Sequence, residues 1–111
     1  MGKLPKFEKS SGNVFADLGL GNADELLLKA NIASEIARLM KQKKLMQAKA
    51  ATLTGTAQPD LSNLLREKFW GFSIERLMLI LTAFGRDVDV VVRPAFGLRK
   101  RGGIRFKRAA A

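Results

Sequence analysis

Cysteine and histidine are both missing from this 111-residue chain. Without cysteine there is no disulfide framework, no thiolate zinc site and no cysteine nucleophile. Without histidine the commonest general base and metal ligand is gone. Acidic residues are scarce, 10 Asp+Glu against 20 Lys+Arg, which leaves a formal charge of +10. No carboxylate pair has a base or nucleophile beside it: Asp87 and Asp89 only alternate along a β-branched run. An enzyme is therefore not expected, and neither a cofactor nor a metal is implied. Long apolar runs are absent too. Nowhere do about 18 such residues follow one another, so no segment is expected to span a membrane. Met1-Gly2-Lys3-Leu4-Pro5-Lys6 lead into no apolar stretch, so no signal peptide is expected and the cytoplasm is the expected compartment.

What is present suits one small domain. The chain is 47% hydrophobic, enough to bury a single core. A surface this basic favours polyanions, nucleic acid first and an anionic membrane second. The charge is uneven. From Ala23 to Arg93 there are 11 basic and 8 acidic residues, a net +3, whereas Pro94 to Ala111 carries 6 basic residues and no acid. The expected organisation is a flexible N-terminal arm over 1–12, a folded domain over 13–94 and a flexible basic tail over 95–111. Asn13 to Leu20 is too apolar for a free linker and should pack on the domain.

The first helix opens at Asn22-Ala23-Asp24-Glu25, which reads as a capping box. Leu26, Ala30, Ala33, Ala37 and Met40 recur at steps of four and three with Ile36 beside them, predicting one inward face. Lys41, Lys43 and Lys44 close the helix, where they either complement its dipole or reach a phosphate. Two short helices are expected next, Gln47 to Leu53 and about Gln58 to Arg66, with only Thr54-Gly55-Thr56-Ala57 between them. Phe69, Trp70 and Phe72 read as core or interface rather than as a stacking platform. Ser73 then caps a helix through Phe84, with Phe72 and Leu77 placed as a hydrophobic staple and Gly85 as its stop. Asp87 to Arg93, ended by Pro94, reads as the one strand. The expected class is mainly α: a compact four-to-five-helix bundle with a helix-turn-helix and one C-terminal β-strand.

Two short helices joined by a glycine-containing turn describe the DNA-binding helix-turn-helix. Ala51 is small enough to let the helices approach, and Gly55 supplies the freedom for the sharp turn. Leu61 and Leu64 should anchor the second helix, leaving Gln58, Pro59, Ser62 and Asn63 outward as candidate base readers. Gln47, at the start of the first helix, is a candidate phosphate ligand, with Arg66 and Lys68 beyond the second. Arg99, Lys100 and Arg101 extend that candidate set into the tail, as an arm on the DNA. The strand needs a partner, either the apolar arm around Val14 to Ala16 or a second copy. Paired antiparallel across a two-fold axis at Val90, two copies would set Asp87 opposite Arg93, with Val88, Val90 and Val92 covering the helices.

Gln47-Ala48-Lys49-Ala50-Ala51-Thr52-Leu53-Thr54-Gly55 followed by Gln58-Pro59-Asp60-Leu61-Ser62-Asn63-Leu64-Leu65-Arg66 resembles the helix-turn-helix of Xre-family, lambda-repressor-like regulators. Ser11 to Leu20, Phe72 to Leu77 and Gly85 to Pro94 resemble the lead-in, closing helix and strand of a subgroup with many HigA-type antitoxins. The resemblance covers roughly residues 11 to 94. It implies a compact helical domain, operator binding as a homodimer and, often, a toxin partner encoded beside it. The chain departs from the pattern at several points. Thr54 and Thr56 stand where apolar residues are usual, Met46 where Thr caps, and Lys44 where Gly ends a helix. Asp60 puts a carboxylate in the first turn of the reading helix, favourable for the dipole but repelled by phosphate.

Together these features give a sequence-specific, dimeric DNA-binding repressor as the expected function. The alternatives are an antitoxin that neutralises a small cognate toxin, and a non-specific RNA or anionic-membrane-surface binder driven by the tail.

Overall fold

The computed structural model describes residues 23–69, 71–95, 97 and 101–109. Asn22, the Ser11 to Leu20 lead-in, Trp70, Arg99 and Lys100 lie outside the described residues. Among the described residues the chain forms four helices: α1 (Ala23–Gln42), α2 (Gln47–Thr54), α3 (Gln58–Leu65) and α4 (Ile74–Ala83). α1 packs most extensively on α4 and also meets α3, while α2 packs on α3 and α4. Their shared core holds Ile32, Ile36 and Leu39 from α1, Ala50 and Ala51 from α2, Leu61 and Leu64 from α3, and Leu77, Ile80 and Leu81 from α4. Phe69, Phe72 and Phe84 close it from the connections. Each fully buried Leu, Ile or Phe among these contributes about 1.5–3 kcal/mol relative to exposure.

α1 is rolled away from the face its small residues suggest. Ile32, Ala33, Ile36, Leu39 and Met40 are buried, whereas Ala37 is exposed and Leu26 and Ala30 are only partly covered. Side-chain volume explains the difference, because turning Ile32, Ile36 and Leu39 inward removes far more apolar area from water than turning Ala37 inward. That roll also buries two charges, and each arrives with a partner. Lys29 Nζ lies 3.1 Å from Glu25 Oε2. Arg38 donates twice to Glu35, from Nε to Oε1 at 3.0 Å and from Nη2 to Oε2 at 2.7 Å. Unpaired, either charge would be costly to bury.

Ser73 caps α4 as its sequence suggests: its Oγ accepts from the Arg76 amide at 3.0 Å. The staple residues Phe72 and Leu77 are both buried.

All four helices end in the same left-handed motif. At α1, the Leu45 amide donates to the Met40 carbonyl and the Lys44 amide to Lys41; α2 repeats this with Thr56 to Ala51 and Gly55 to Thr52. α3 does so with Lys68 to Asn63 and Glu67 to Leu64, and α4 with Arg86 to Leu81 and Gly85 to Thr82. This is the Schellman pairing, which satisfies carbonyls that the helix leaves free and requires φ > 0 at the residue after the cap. Gly55 and Gly85 meet that requirement at φ 68° and 83°, but Lys44 (57°) and Glu67 (67°) meet it without being glycine.

Among the described residues the strand expected over Asp87 to Arg93 does not form. Residues 86–95 follow α4 without regular structure. Val88 rests against the core, but Val90, Val91 and Val92 are 78%, 72% and 90% exposed, so the expected cover of the helices by Val90 and Val92 is absent in one copy. The physical reason is that a strand needs a second strand to complete its backbone ladder. Further on, Phe106 packs against the core and Arg108 Nη1 lies 3.9 Å from Glu35 Oε1, so that part of the basic segment lies along α1.

Candidate nucleic-acid interface

The turn between α2 and α3 is built from Gly55, Thr56 and Ala57. Ala51 and Thr56 are both buried there, 8% and 6% exposed, which is how α2 and α3 come close. Thr54, one of the threonines that replace apolar residues around the glycine, bonds locally: its Oγ1 donates to the Ala50 carbonyl at 2.8 Å, as Thr52 Oγ1 does to that of Ala48 at 3.2 Å. No buried side-chain polar atom among the described residues lacks a partner. Here a hydroxyl is tolerated because the preceding turn of α2 accepts it.

α3 begins at Ala57 without a side-chain cap, and Pro59 in its first turn has no amide proton to leave unbonded. Leu61 and Leu64, three residues apart, are fully buried and fix which way the helix faces. Its other side carries the residues expected there. Gln58, Pro59, Arg66 and Lys68 are exposed, and Ser62 and Asn63 are half-buried at the rim. Arg66 Nη2 donates to Asn63 Oδ1 at 3.3 Å, tying one candidate phosphate ligand to one candidate base reader.

The start of α2 lies beside this surface. Met46 occupies its cap position with extended backbone and no side-chain cap bond. Gln47 is half-buried and shares with Gln58 a shallow depression walled by Met40, Leu45 and Leu65. Lys43, Lys44 and Lys49 are exposed before and after it. The amide side chains at the starts of both helices thus converge, with cations on either side.

Asp60 is not solitary in the first turn of α3. Arg76 Nη2 reaches its Oδ2 at 3.3 Å from the first turns of α4, and the Arg76 guanidinium lies 4.5 Å over the Phe72 ring. The sequence carried no signal for that pairing, since the two residues are 16 apart and on different helices. The Glu67 backbone angle was likewise missed, although its place in the hydrogen-bonded cap of α3 matches that of Gly55 in the cap of α2.

The other expected residues are scattered. Arg101 is exposed, and of the expected pairing strand Asp87, Val90, Val92 and Arg93 are exposed while Val88 is half-buried. Glu35, an acid with a perturbed titration, sits on α1: the Arg38 hydrogen bonds hold its carboxyl below the ordinary range against the opposing effect of burial. Among the described residues no cluster of acids could hold a metal ion, and no helix is long and apolar enough to cross a membrane.

A family model described as a helix-turn-helix domain matches residues 14–93. A solved structure described as an XRE-family transcriptional regulator is 36% identical, with a TM-score of 0.69; the match covers 82% of this chain and all of that one. No curated protein matches.

Proposed function

Because the chain belongs to the helix-turn-helix family of XRE-type transcriptional regulators, we propose that it is a sequence-specific, dimeric DNA-binding repressor that lays α3 in the major groove. The observation that carries this reading is the outer side of α3. A helix held by buried Leu61 and Leu64 presents amide and hydroxyl groups between exposed cations, next to the start of a second helix that no side chain caps. Gln58, Pro59, Ser62 and Asn63 read base edges and thymine methyls. Gln47 and the free amides of α2 hold one phosphate, while Arg66 and Lys68 hold others and set register. Arg99, Lys100 and Arg101 add sequence-independent contacts from the tail.

Dimerisation supplies the second half of the reading. Residues 86–95 leave three consecutive valines in water and a row of backbone groups without a ladder. A second copy, antiparallel about Val90, completes that ladder and faces Asp87 with Arg93 twice. A two-fold axis also suits two half-sites about 34 Å apart on successive turns of the groove. The charge of +10 counts against the antitoxin alternative where the toxin itself is basic. Selection of bound sites from a random duplex pool tests the proposal. Enrichment of paired half-sites is expected, and recovery of unrelated sequences would refute specific recognition.

A further inference from the structure

Asp60 sits in an awkward place for a protein that grips DNA with α3. It lies in the first turn, flanked by Gln58, Pro59, Ser62 and Asn63, and its side chain is 48% exposed. A recognition helix brings its N-terminal residues to the base edges, between two rails of phosphate. A bare carboxylate there opposes the field that the cations around it create.

The structure gives that carboxylate a counter-ion from outside the helix-turn-helix. Arg76 Nη2 is 3.3 Å from Asp60 Oδ2. Arg76 is itself held: its guanidinium lies 4.5 Å over the ring of Phe72, and Phe72 is only 5% exposed. Its backbone amide is tied to the Ser73 hydroxyl at the start of α4. α3 is not among the helices that pack extensively on α4, so this bridge is a specific link between them. A cation stacked on an immobile ring loses less freedom when it pairs than a loose lysine does.

We infer that Arg76 is a positioning residue for DNA recognition, masking the Asp60 carboxylate so that the first turn of α3 can enter the phosphate field. The inference rests on the proposed α3–DNA contact and names a residue outside the helix-turn-helix on which that contact depends. An exposed ion pair does little for folding in water. Against a duplex the same pair matters more, because phosphates act on an unmasked carboxylate at short range where screening water is displaced. The signature is therefore a loss of DNA affinity with little loss of stability, cured by removing the carboxylate.

The test is a double-mutant cycle on the full chain, with affinity measured on a duplex it has selected and on a random duplex, alongside thermal unfolding. Arg76→Met, which keeps a stem over Phe72, should bind both duplexes about tenfold more weakly. Its unfolding midpoint should stay within about 4 °C of the parent. Asp60→Asn alone, and Asp60→Asn combined with Arg76→Met, should both bind within about twofold of the parent, the usual margin of additivity. Arg76→Lys should also stay within that margin. A tenfold loss that persists in the Asp60→Asn background would make Arg76 a direct DNA contact and overturn the masking role. A matching loss of thermal stability would make the pair merely structural, and would also overturn it. If the parent chain itself binds no duplex, the DNA reading falls and takes the inference with it; parental binding without rescue refutes the inference alone.

Discussion

The ends of the four helices offer a measurement in which the backbone alone is at issue. Each helix closes with the same pair of amide-to-carbonyl bonds, yet glycine occupies the left-handed position in only two. At Gly55 and Gly85 nothing lies within 4 Å of where a Cβ would sit, so backbone angle rather than crowding selects glycine there. Lys44 and Glu67 adopt the same conformation at φ 57° and 67°, and both are exposed. The left-handed conformation costs an L residue about 1–2 kcal/mol. Glycine relieves that cost but favours the unfolded chain by about 0.4–1 kcal/mol. Lys44→Gly and Glu67→Gly should therefore each stabilise the domain by about 0.5–1 kcal/mol. The sites end different helices, so the double variant should gain about 1–2 kcal/mol, a rise in midpoint of roughly 5–15 °C for a domain of this size. Lys44→Ala and Glu67→Ala are the controls, because they remove the charged side chain but keep the Cβ. Thermal unfolding in high salt, which suppresses the charge–dipole contribution of either residue, compares all four. Glycine variants that gain nothing, or alanine variants that gain as much, would refute the strain argument.

Four further outcomes are expected. Asn63→Ala should weaken binding to the selected duplex by about 1–3 kcal/mol and relax preference at one base position; an equal loss on random duplex in a competition assay would remove Asn63 from the reading set. Val90→Pro should give a monomer by light scattering, with unchanged helical circular dichroism and much weaker operator binding, since proline breaks the proposed ladder at its axis; a variant that stays dimeric would move the interface elsewhere. Truncation after Pro94 should flatten the dependence of log K on log salt by roughly 0.9 for each phosphate that the tail neutralises, and an unchanged slope would make the tail a bystander. Glu35 is held below its ordinary range by the Arg38 hydrogen bonds, with the charges of Arg38, Arg108 and Arg86 helping against burial. Its stabilisation is complete above the unfolded-state value of about 4.3 and is lost as pH falls through the lower folded value. Acid titration of stability should thus be steeper in the parent than in Glu35→Gln, and superimposable curves would sink that account.

Much of the fold and of the candidate site was legible because it is local. Ser73 caps α4 through an amide three residues away, and Leu61 and Leu64 orient α3 by their own spacing. The turn glycine and the outward amides of α3 follow from the same short-range rules, and so does the candidate surface they form. Lys44 at a glycine position was visible too, as a departure from the pattern of the family the chain resembles. The roll of α1 was not legible, since apolar spacing counts Ala37 equally with Ile36 whereas packing weighs their volumes. Nor was the state of the valine run: β-branched residues favour extended backbone, but a strand exists only where another strand accepts its hydrogen bonds. The Arg108 contact with Glu35 and the Arg76 contact with Asp60 lay out of reach for the same reason. Each joins residues far apart in the chain, so neither exists until the hydrophobic core has brought its helices and tail together. Local chemistry in the sequence determined where the helices stop and how α3 faces, whereas packing decided the roll of α1 and which charges meet across elements.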